Sequence, residues 1–215
     1  MSSIQARRGL TLRKSTMPKL KSKEALDRIL KIIDTNSIVL DIGAGAEQIH
    51  AKVFRKNRHT VDTVDFFPES TYVGDFNLIE INKQYDVVWA SHCLEHQLNV
   101  NLFLKKVHSV VKNNGYAVIT VPPLKHKIVG GHVSLWNAGL LIYNLVLAGF
   151  DCSNIQIKQY GYNISAIVQK TDRKIPFELL EYDTKDLETL NRFFPKDVTY
   201  EKNCIFNGDI EILNW

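Results

Sequence analysis

The chain of 215 residues is 45% hydrophobic and 23% charged, which is the composition of an ordinary globular domain and excludes a low-complexity protein. No apolar run approaches the roughly 18 residues that cross a bilayer, so we expect no membrane span. Cys93, Cys152 and Cys204 are odd in number and far apart, which predicts neither a disulfide framework nor a CxxC metal site. We therefore expect a cytoplasmic protein.

The net charge of +4 is unevenly distributed. The first 23 residues hold seven Lys and Arg and no acid, so the remainder carries a net charge of −3. We predict that residues 1–22 form a basic N-terminal extension. Three roles stay open for it: a solvated leader, a contact with an anionic or phosphate-bearing partner such as a membrane surface or RNA, or an organelle transit peptide.

An amphipathic helix over 23–34 leads into a buried strand that ends in a glycine turn. The strand and turn read Ile38-Val39-Leu40-Asp41-Ile42-Gly43-Ala44-Gly45. Glycines here allow unusual backbone angles and let a ligand approach the main chain at a helix N-terminus. The third glycine of a dinucleotide fingerprint would stand at position 48, which is Gln48. The stretch predicts a nucleotide-binding turn of another kind.

The second strand, 59–65, ends on Asp65, 20 residues after Gly45. At the end of a neighbouring parallel strand, a carboxylate can accept both hydroxyls of a ribose. Asp62 alternates with apolar residues in the same strand and is the competing candidate.

The rest of the chain predicts alternating helices and strands that end in a hairpin. A buried strand over 85–91 is followed by a helix over 99–111, a strand over 116–121 that Pro122-Pro123 ends, and a helix over 134–148. Two strands over 154–160 and 164–169 are joined by a short link containing Gly161, which predicts an antiparallel pair.

Two blocks of sequence resemble the class I S-adenosylmethionine-dependent methyltransferases, in particular their small-molecule branch. They are Asp41-Ile42-Gly43-Ala44-Gly45 and the segment from Asp86 through Leu94-Glu95-His96 to Asn114-Gly115. The resemblance implies an α/β fold, a Rossmann-like seven-stranded mostly parallel sheet with a terminal antiparallel hairpin and helices on both faces. We assign the methyltransferase domain to 23–170, and 171–215 to a C-terminal accessory segment that caps the domain or forms a homodimer contact.

The same resemblance implies S-adenosylmethionine as the cofactor and a set of contact residues. Asp65 would bind the ribose, Asp75 and Phe76 the adenine amino group and ring face, and Ser91 would stand at the loop that meets the amino acid end. The full expected cofactor set is Asp41, Gly43, Gly45, Asp65, Asp75, Phe76 and Ser91.

Methyl transfer to a hydroxyl benefits from a general base, and histidine is the usual choice near pH 7. We expect His132, in Gly130-Gly131-His132, to be the base or an acceptor contact, with His96 next and His92 as a further candidate. His92, Glu95 and His96 have no further placed ligand, so we expect no metal.

The sequence predicts a methyltransferase acting on a hydroxyl of a small molecule, a sugar or a glycan or lipid precursor. A non-catalytic binding module of the same fold and a nicotinamide-dependent oxidoreductase are the alternatives. Methylation of RNA is a substrate variant of the first hypothesis.

Overall fold

The structure is a computed structural model that describes residues 20–198, 200–201 and 204–215. Most of the predicted basic extension, residues 1–19, lies outside the described residues. The helices are α1 (Lys23–Ile32), α2 (Ile49–Lys56), α3 (Val100–Val110), α4 (Ala138–Leu147) and α5 (Asp186–Leu190). The strands are β1 (Ile38–Ile42), β2 (Thr60–Asp65), β3 (Tyr72–Val73), β4 (Tyr85–Ser91), β5 (Val111–Val121), β6 (Gln156–Tyr160), β7 (Asn163–Gln169), β8 (Tyr200–Glu201), β9 (Ile205–Phe206) and β10 (Ile212–Leu213).

One mixed sheet has the strand order β10-β6-β7-β5-β4-β1-β2-β3. The five strands β1 to β5 pair in parallel, whereas β7 is antiparallel to both β5 and β6. The predicted Rossmann-like sheet with its terminal antiparallel hairpin is confirmed. The strand count differs from the expected seven, because β10 from the C-terminal segment adds an eighth strand at the β6 edge.

Alternate residues of each central strand face two cores, which lie on opposite sides of the sheet. Val39 and Trp89 pack with α1 and α2 in the smaller core. Leu40 and Val88 pack with α3 and α4 in the larger one. Helices therefore cover both faces, as predicted, and none in the described part of the chain is long and apolar enough to cross a membrane.

The C-terminal segment packs against the larger core. Leu190, Phe193 and Phe194 are buried there, and β10 pairs with β6. Its short helix α5 covers Asp186–Leu190, and a 3₁₀ turn continues it over Asn191–Phe193. The boundary between the methyltransferase domain and the C-terminal segment, placed after residue 170, stays a prediction.

The starts of α2 and α4 are set by local features, and α4 begins later than the predicted residue 134. Before α2, Gln48 has a left-handed backbone with a φ of 47°. Before α4, the Asn137 side chain accepts a hydrogen bond from the Leu140 amide. An Asn cap of this kind fixes where the helix starts, so the residues from 134 to 137 remain part of the loop that precedes α4.

His108, near the end of α3, makes the fold sensitive to acid. Its ring packs edge-to-face on Phe150 with the ring centroids 4.8 Å apart. Burial, assisted by the charge of Lys170, lowers the pKa of His108 to about 4. Since the unfolded ring has an ordinary pKa near 6.5, the unfolded state binds an extra proton as the pH falls from about 6.5 to 4, and stability falls with it.

We therefore expect His108→Gln to remove part of the acid destabilisation. The free energy of unfolding of the variant, relative to wild type, should rise by on the order of 2 kcal/mol between pH 7 and pH 4, after discounting for partial exposure. Urea unfolding at both pH values measures it, with the exposed His126→Gln as control. A difference in unfolding free energy between His108→Gln and wild type that does not change with pH would contradict this prediction.

Candidate active site

The glycine turn after β1 lies against the loop after β4. Gly43 and Gly45 have φ angles of 73° and 68°, which favour glycine. A Cβ on Gly43 would lie 3.3 Å from the Cys93 side chain, whereas one on Gly45 would have open space around it. The turn is thus packed on one side and accessible on the other, where a ligand can approach its main chain.

Asp65 joins the end of β2 to this turn. One carboxylate oxygen accepts the Gly45 amide at 2.8 Å, and the other accepts the Phe66 amide at 2.7 Å. Asp62, the competing candidate, is held by Lys83 and the Tyr85 hydroxyl at 2.7 and 2.9 Å. Asp65 is therefore the acid of β2 that borders the glycine turn.

Asp41 is buried behind the turn. Its carboxylate accepts the Ala51 amide of α2 at 3.1 Å. Burial raises the pKa of Asp41 to about 7, with a smaller contribution from the charge of Asp65, although the Ala51 bond and Arg55 oppose the shift. Asp41 thus links β1 to α2, beneath the accessible face of the turn.

The residues after β3 bond to the loop after β4. Asp75 accepts the amide and the side-chain amide of Asn77, which also donates to Gln97. The Phe76 ring, expected against the adenine face, is only 5% exposed and packs edge-to-face on Phe103 in the larger core. Two exposed rings follow Asp65 directly: Phe66 is 75% exposed and Phe67 is 44% exposed.

Ser91, at the end of β4, makes a contact that the sequence did not suggest. Its hydroxyl lies 2.6 Å from the hydroxyl of Ser22, the residue before α1. The start of α1 is also fixed to the hairpin, because the Ala25 amide donates to the Tyr160 hydroxyl. The beginning of α1 therefore covers the end of the strand where the amino acid part of the cofactor was expected.

His92 is held by acceptors on both sides of its ring. Its Nδ1 is 3.2 Å from Glu95 Oε1, and its Nε2 is 3.0 Å from Asn163 Oδ1. The Asn163 amide is oriented by its own donation to the Tyr160 carbonyl. Both ring nitrogens of His92 are therefore engaged, and neither is free for a reacting hydroxyl.

His96 and His132 are brought together by the loops that follow β4 and β5. Their ring centroids are 5.0 Å apart in an edge-to-face arrangement. His96 Nδ1 lies 2.8 Å from the Gly131 carbonyl, and the Glu95 carbonyl accepts the Val133 amide at 2.9 Å. The two expected catalytic residues thus lie side by side, tied by main-chain bonds between the loops.

The sequence pattern predicted no separate role for Glu95. Glu95 is fully buried, and its Oε2 has no hydrogen-bond partner among the described residues. The available signal was its position between Leu94 and His96 at the end of a buried strand. The partner His132 could not be read from that motif, because it stands 36 positions after His96.

A family model described as a methyltransferase domain matches residues 14–144, more than half of the chain. The chain belongs to this methyltransferase family. The resemblance to class I S-adenosylmethionine-dependent methyltransferases is thereby confirmed, and with it the cofactor. A nicotinamide-dependent oxidoreductase is not supported. No curated protein matches the chain.

Solved methyltransferase structures share the fold at low sequence identity. A 1,6-didemethyltoxoflavin-N1-methyltransferase from Burkholderia thailandensis, solved with S-adenosylhomocysteine, is 18% identical, with a TM-score of 0.59 over 70% of this chain and 78% of that one. An S-adenosylmethionine-dependent methyltransferase from Archaeoglobus fulgidus is 17% identical, with a TM-score of 0.58 over 69% and 92%. A TehB-like methyltransferase from Corynebacterium glutamicum is 17% identical, with a TM-score of 0.55 over 68% and 86%.

The raised pKa of Asp41 predicts how the free energy of unfolding changes with pH. Since the folded pKa of about 7 exceeds the unfolded value of 3.8, ionisation costs stability as the pH rises through this interval. We expect Asp41→Asn, which keeps the acceptor for Ala51, to gain on the order of 4 kcal/mol relative to wild type between pH 4 and pH 8.

Urea unfolding at pH 4, 6 and 8 measures the gain, and the exposed Asp34→Asn is the matched control. If the stability gain of Asp41→Asn were the same at every pH, or if the control gained as much, the pH dependence of stability would not come from Asp41.

Proposed function

We propose that the protein transfers the methyl group of S-adenosylmethionine to a hydroxyl of a small molecule, a sugar or a glycan or lipid precursor. The observation that carries this proposal is the pair His96 and His132 beside the loop that follows Ser91. Such a pair can receive a hydroxyl proton or orient the hydroxyl, and positioning of the acceptor in line with the methyl carbon supplies much of the rate.

We propose that the cofactor contacts the glycine turn and the strand ends beside that turn. Asp65 would accept the ribose hydroxyls, the amides near Gly43 and Gly45 would face the cofactor, and Asp75 would meet the adenine amino group. Asp41 and Ser91 would support the amino acid end. Phe66 is better placed than Phe76 to cover the adenine ring, because its side chain is exposed next to Asp65.

The loop after β5 supports an acceptor that has an apolar part. Beside His132 it exposes five aliphatic side chains: Leu124, Ile128, Val129, Val133 and Leu135. Lys125, His126 and Lys127 lie in the same loop. A surface on which consecutive basic residues stand between aliphatic ones suits an anionic precursor attached to a lipid better than a free sugar.

The other expectations stay predictions. They are the cytoplasmic location, the anionic or phosphate-bearing partner of the basic extension, and a homodimer formed through the C-terminal segment.

We expect Asp65→Asn to weaken the binding of S-adenosylmethionine and S-adenosylhomocysteine at least about 10-fold, since the hydrogen bonds from the ribose to a charged group are lost. Titration calorimetry measures both Kd values, with NADH as the negative ligand. Asp62→Asn, on the same strand but facing Lys83, is the control. Equal losses in the two variants, or tighter binding of NADH, would contradict the assignment.

A second pair of variants separates the two aromatic rings. Phe66→Ala should weaken S-adenosylhomocysteine binding about 10-fold, because an exposed stacking ring is removed, and leave the Tm unchanged. Phe76→Ala should instead lower the free energy of unfolding by roughly 3–5 kcal/mol, because it opens a cavity beside Phe103. The reverse pattern would assign the adenine contact to Phe76 instead of Phe66.

Turnover is tested with S-adenosylmethionine labelled in its methyl group and a cell extract as the source of acceptors. We expect alkali-stable label in the small-molecule or lipid fraction, and a large loss of it in His132→Gln with an unchanged Kd for the cofactor. Label found in RNA would show that RNA, and not the proposed small molecule, is the acceptor. Cofactor binding without labelling of any fraction would favour the non-catalytic binding module.

A further inference from the structure

We propose that Glu95, His96 and His132 bind a divalent first-row transition-metal ion where the loops after β4 and β5 meet. One donor atom from each residue lies within 4.8 Å of the other two. The motif at the end of β4 predicted no metal because it offered only His92, Glu95 and His96. The fold supplies His132 as the ligand that was missing and turns His92 away, toward Glu95.

Glu95 is the anchor of this site. Its carboxylate is fully buried, and His92 contacts only Oε1, at 3.2 Å. Oε2 has no hydrogen-bond partner within the described residues. A buried carboxylate oxygen without a partner is costly, and a bound cation removes that cost.

His96 presents a ring nitrogen suited to a metal. Its Nδ1 faces the Gly131 carbonyl, which can only accept, so Nδ1 carries the hydrogen and Nε2 of the neutral ring carries the lone pair. That Nε2 lies 3.9 Å from Glu95 Oε1. Metal-binding histidines commonly donate their other N–H to a backbone carbonyl or a carboxylate, as His96 is placed to do with the Gly131 carbonyl.

His132 is brought to the site by the main chain. The next residue, Val133, donates its amide to the Glu95 carbonyl, and the His132 amide donates to Val129. The loop is thereby tied to the residue that anchors the site. His132 and His96 are partly exposed, with 46% of the His96 side chain accessible, so both rings can rotate toward an ion.

The donor set indicates which ions fit. Two imidazole nitrogens and one carboxylate suit Mn²⁺, Fe²⁺, Co²⁺ or Zn²⁺, whereas Mg²⁺ prefers oxygen ligands. Bond lengths near 2.1 Å place adjacent donors about 3.0–3.5 Å apart, so donor atoms that now lie within 4.8 Å of one another must approach by no more than about 1.8 Å. On the side of the site that faces solvent, coordination positions of the ion remain open.

The role of the ion rests on the proposed function. An acceptor hydroxyl that occupies an open position would be held beside the cofactor and would lose its proton to water more easily. The oxygen then attacks the methyl carbon, and the sulfur keeps the electron pair of the broken S–C bond. Under this scheme His96 and His132 hold the ion, and neither has to act as the base.

The test is calorimetric titration of the full chain, freed of metal by a chelator, with MnCl₂, CoCl₂, ZnCl₂ and MgCl₂. We expect one site per chain for the first three, with a Kd below about 100 μM, and at least 10-fold weaker binding of Mg²⁺. His132→Gln and Glu95→Gln should each weaken Mn²⁺ binding at least about 10-fold. His126→Gln, in the same loop but exposed, should bind like wild type.

Absence of saturable binding of all three transition ions, or equal binding by His132→Gln and wild type, would overturn the proposal. Because Glu95 is buried, its substitution can disturb folding; His132→Gln and His96→Gln, at partly exposed positions, keep the test decisive. Thermal unfolding and the Kd for S-adenosylhomocysteine report on the fold of each variant. Metal binding without cofactor binding would refute the proposed function alone, and the opposite result would refute the metal site alone.

Discussion

The site depends on the reversal of strand order beside β1. The sheet continues from β1 to β2 and β3 on one side and to β4 and β5 on the other, so the chain leaves β1 and β4 toward opposite faces. A crevice forms where the order reverses, at the carboxyl ends of the strands. Gly43 and Cys93 meet across it. The glycine turn, Asp65 and the loop that carries Glu95 and His96 are neighbours because of this topology.

The same edge concentrates negative charge, which suits a cationic cofactor. S-adenosylmethionine carries a sulfonium and an ammonium group. Asp41, Asp65 and Glu95 all act on Cys93, and burial together with these carboxylates raises the pKa of that thiol to about 12. Cys93 is therefore a neutral packing residue and no nucleophile. The carboxylates, which contribute less to that shift than burial does, would also attract a sulfonium bound at this edge.

Local patterns in the sequence predicted most of the fold, and contacts between distant segments account for what they missed. The apolar run before Gly43 and the acid ending β2 are each readable within a few residues. By contrast, Ile212 and Leu213 form only a two-residue strand, and its pairing with β6 depends on how the chain folds back. The burial of Phe76 and the approach of His132 to Glu95 likewise depend on tertiary packing, which no short motif encodes.

We propose that a single edge of the sheet holds the cofactor and, beside it, the group that prepares the acceptor. A crystal structure of the full chain grown with S-adenosylhomocysteine and MnCl₂, with anomalous data to locate manganese, tests this most directly. We predict the ribose at Asp65, the sulfur turned toward the loop after β4, and a manganese peak among Glu95, His96 and His132. S-adenosylhomocysteine bound away from the glycine turn would contradict the central claim, and manganese elsewhere would contradict its metal-binding part.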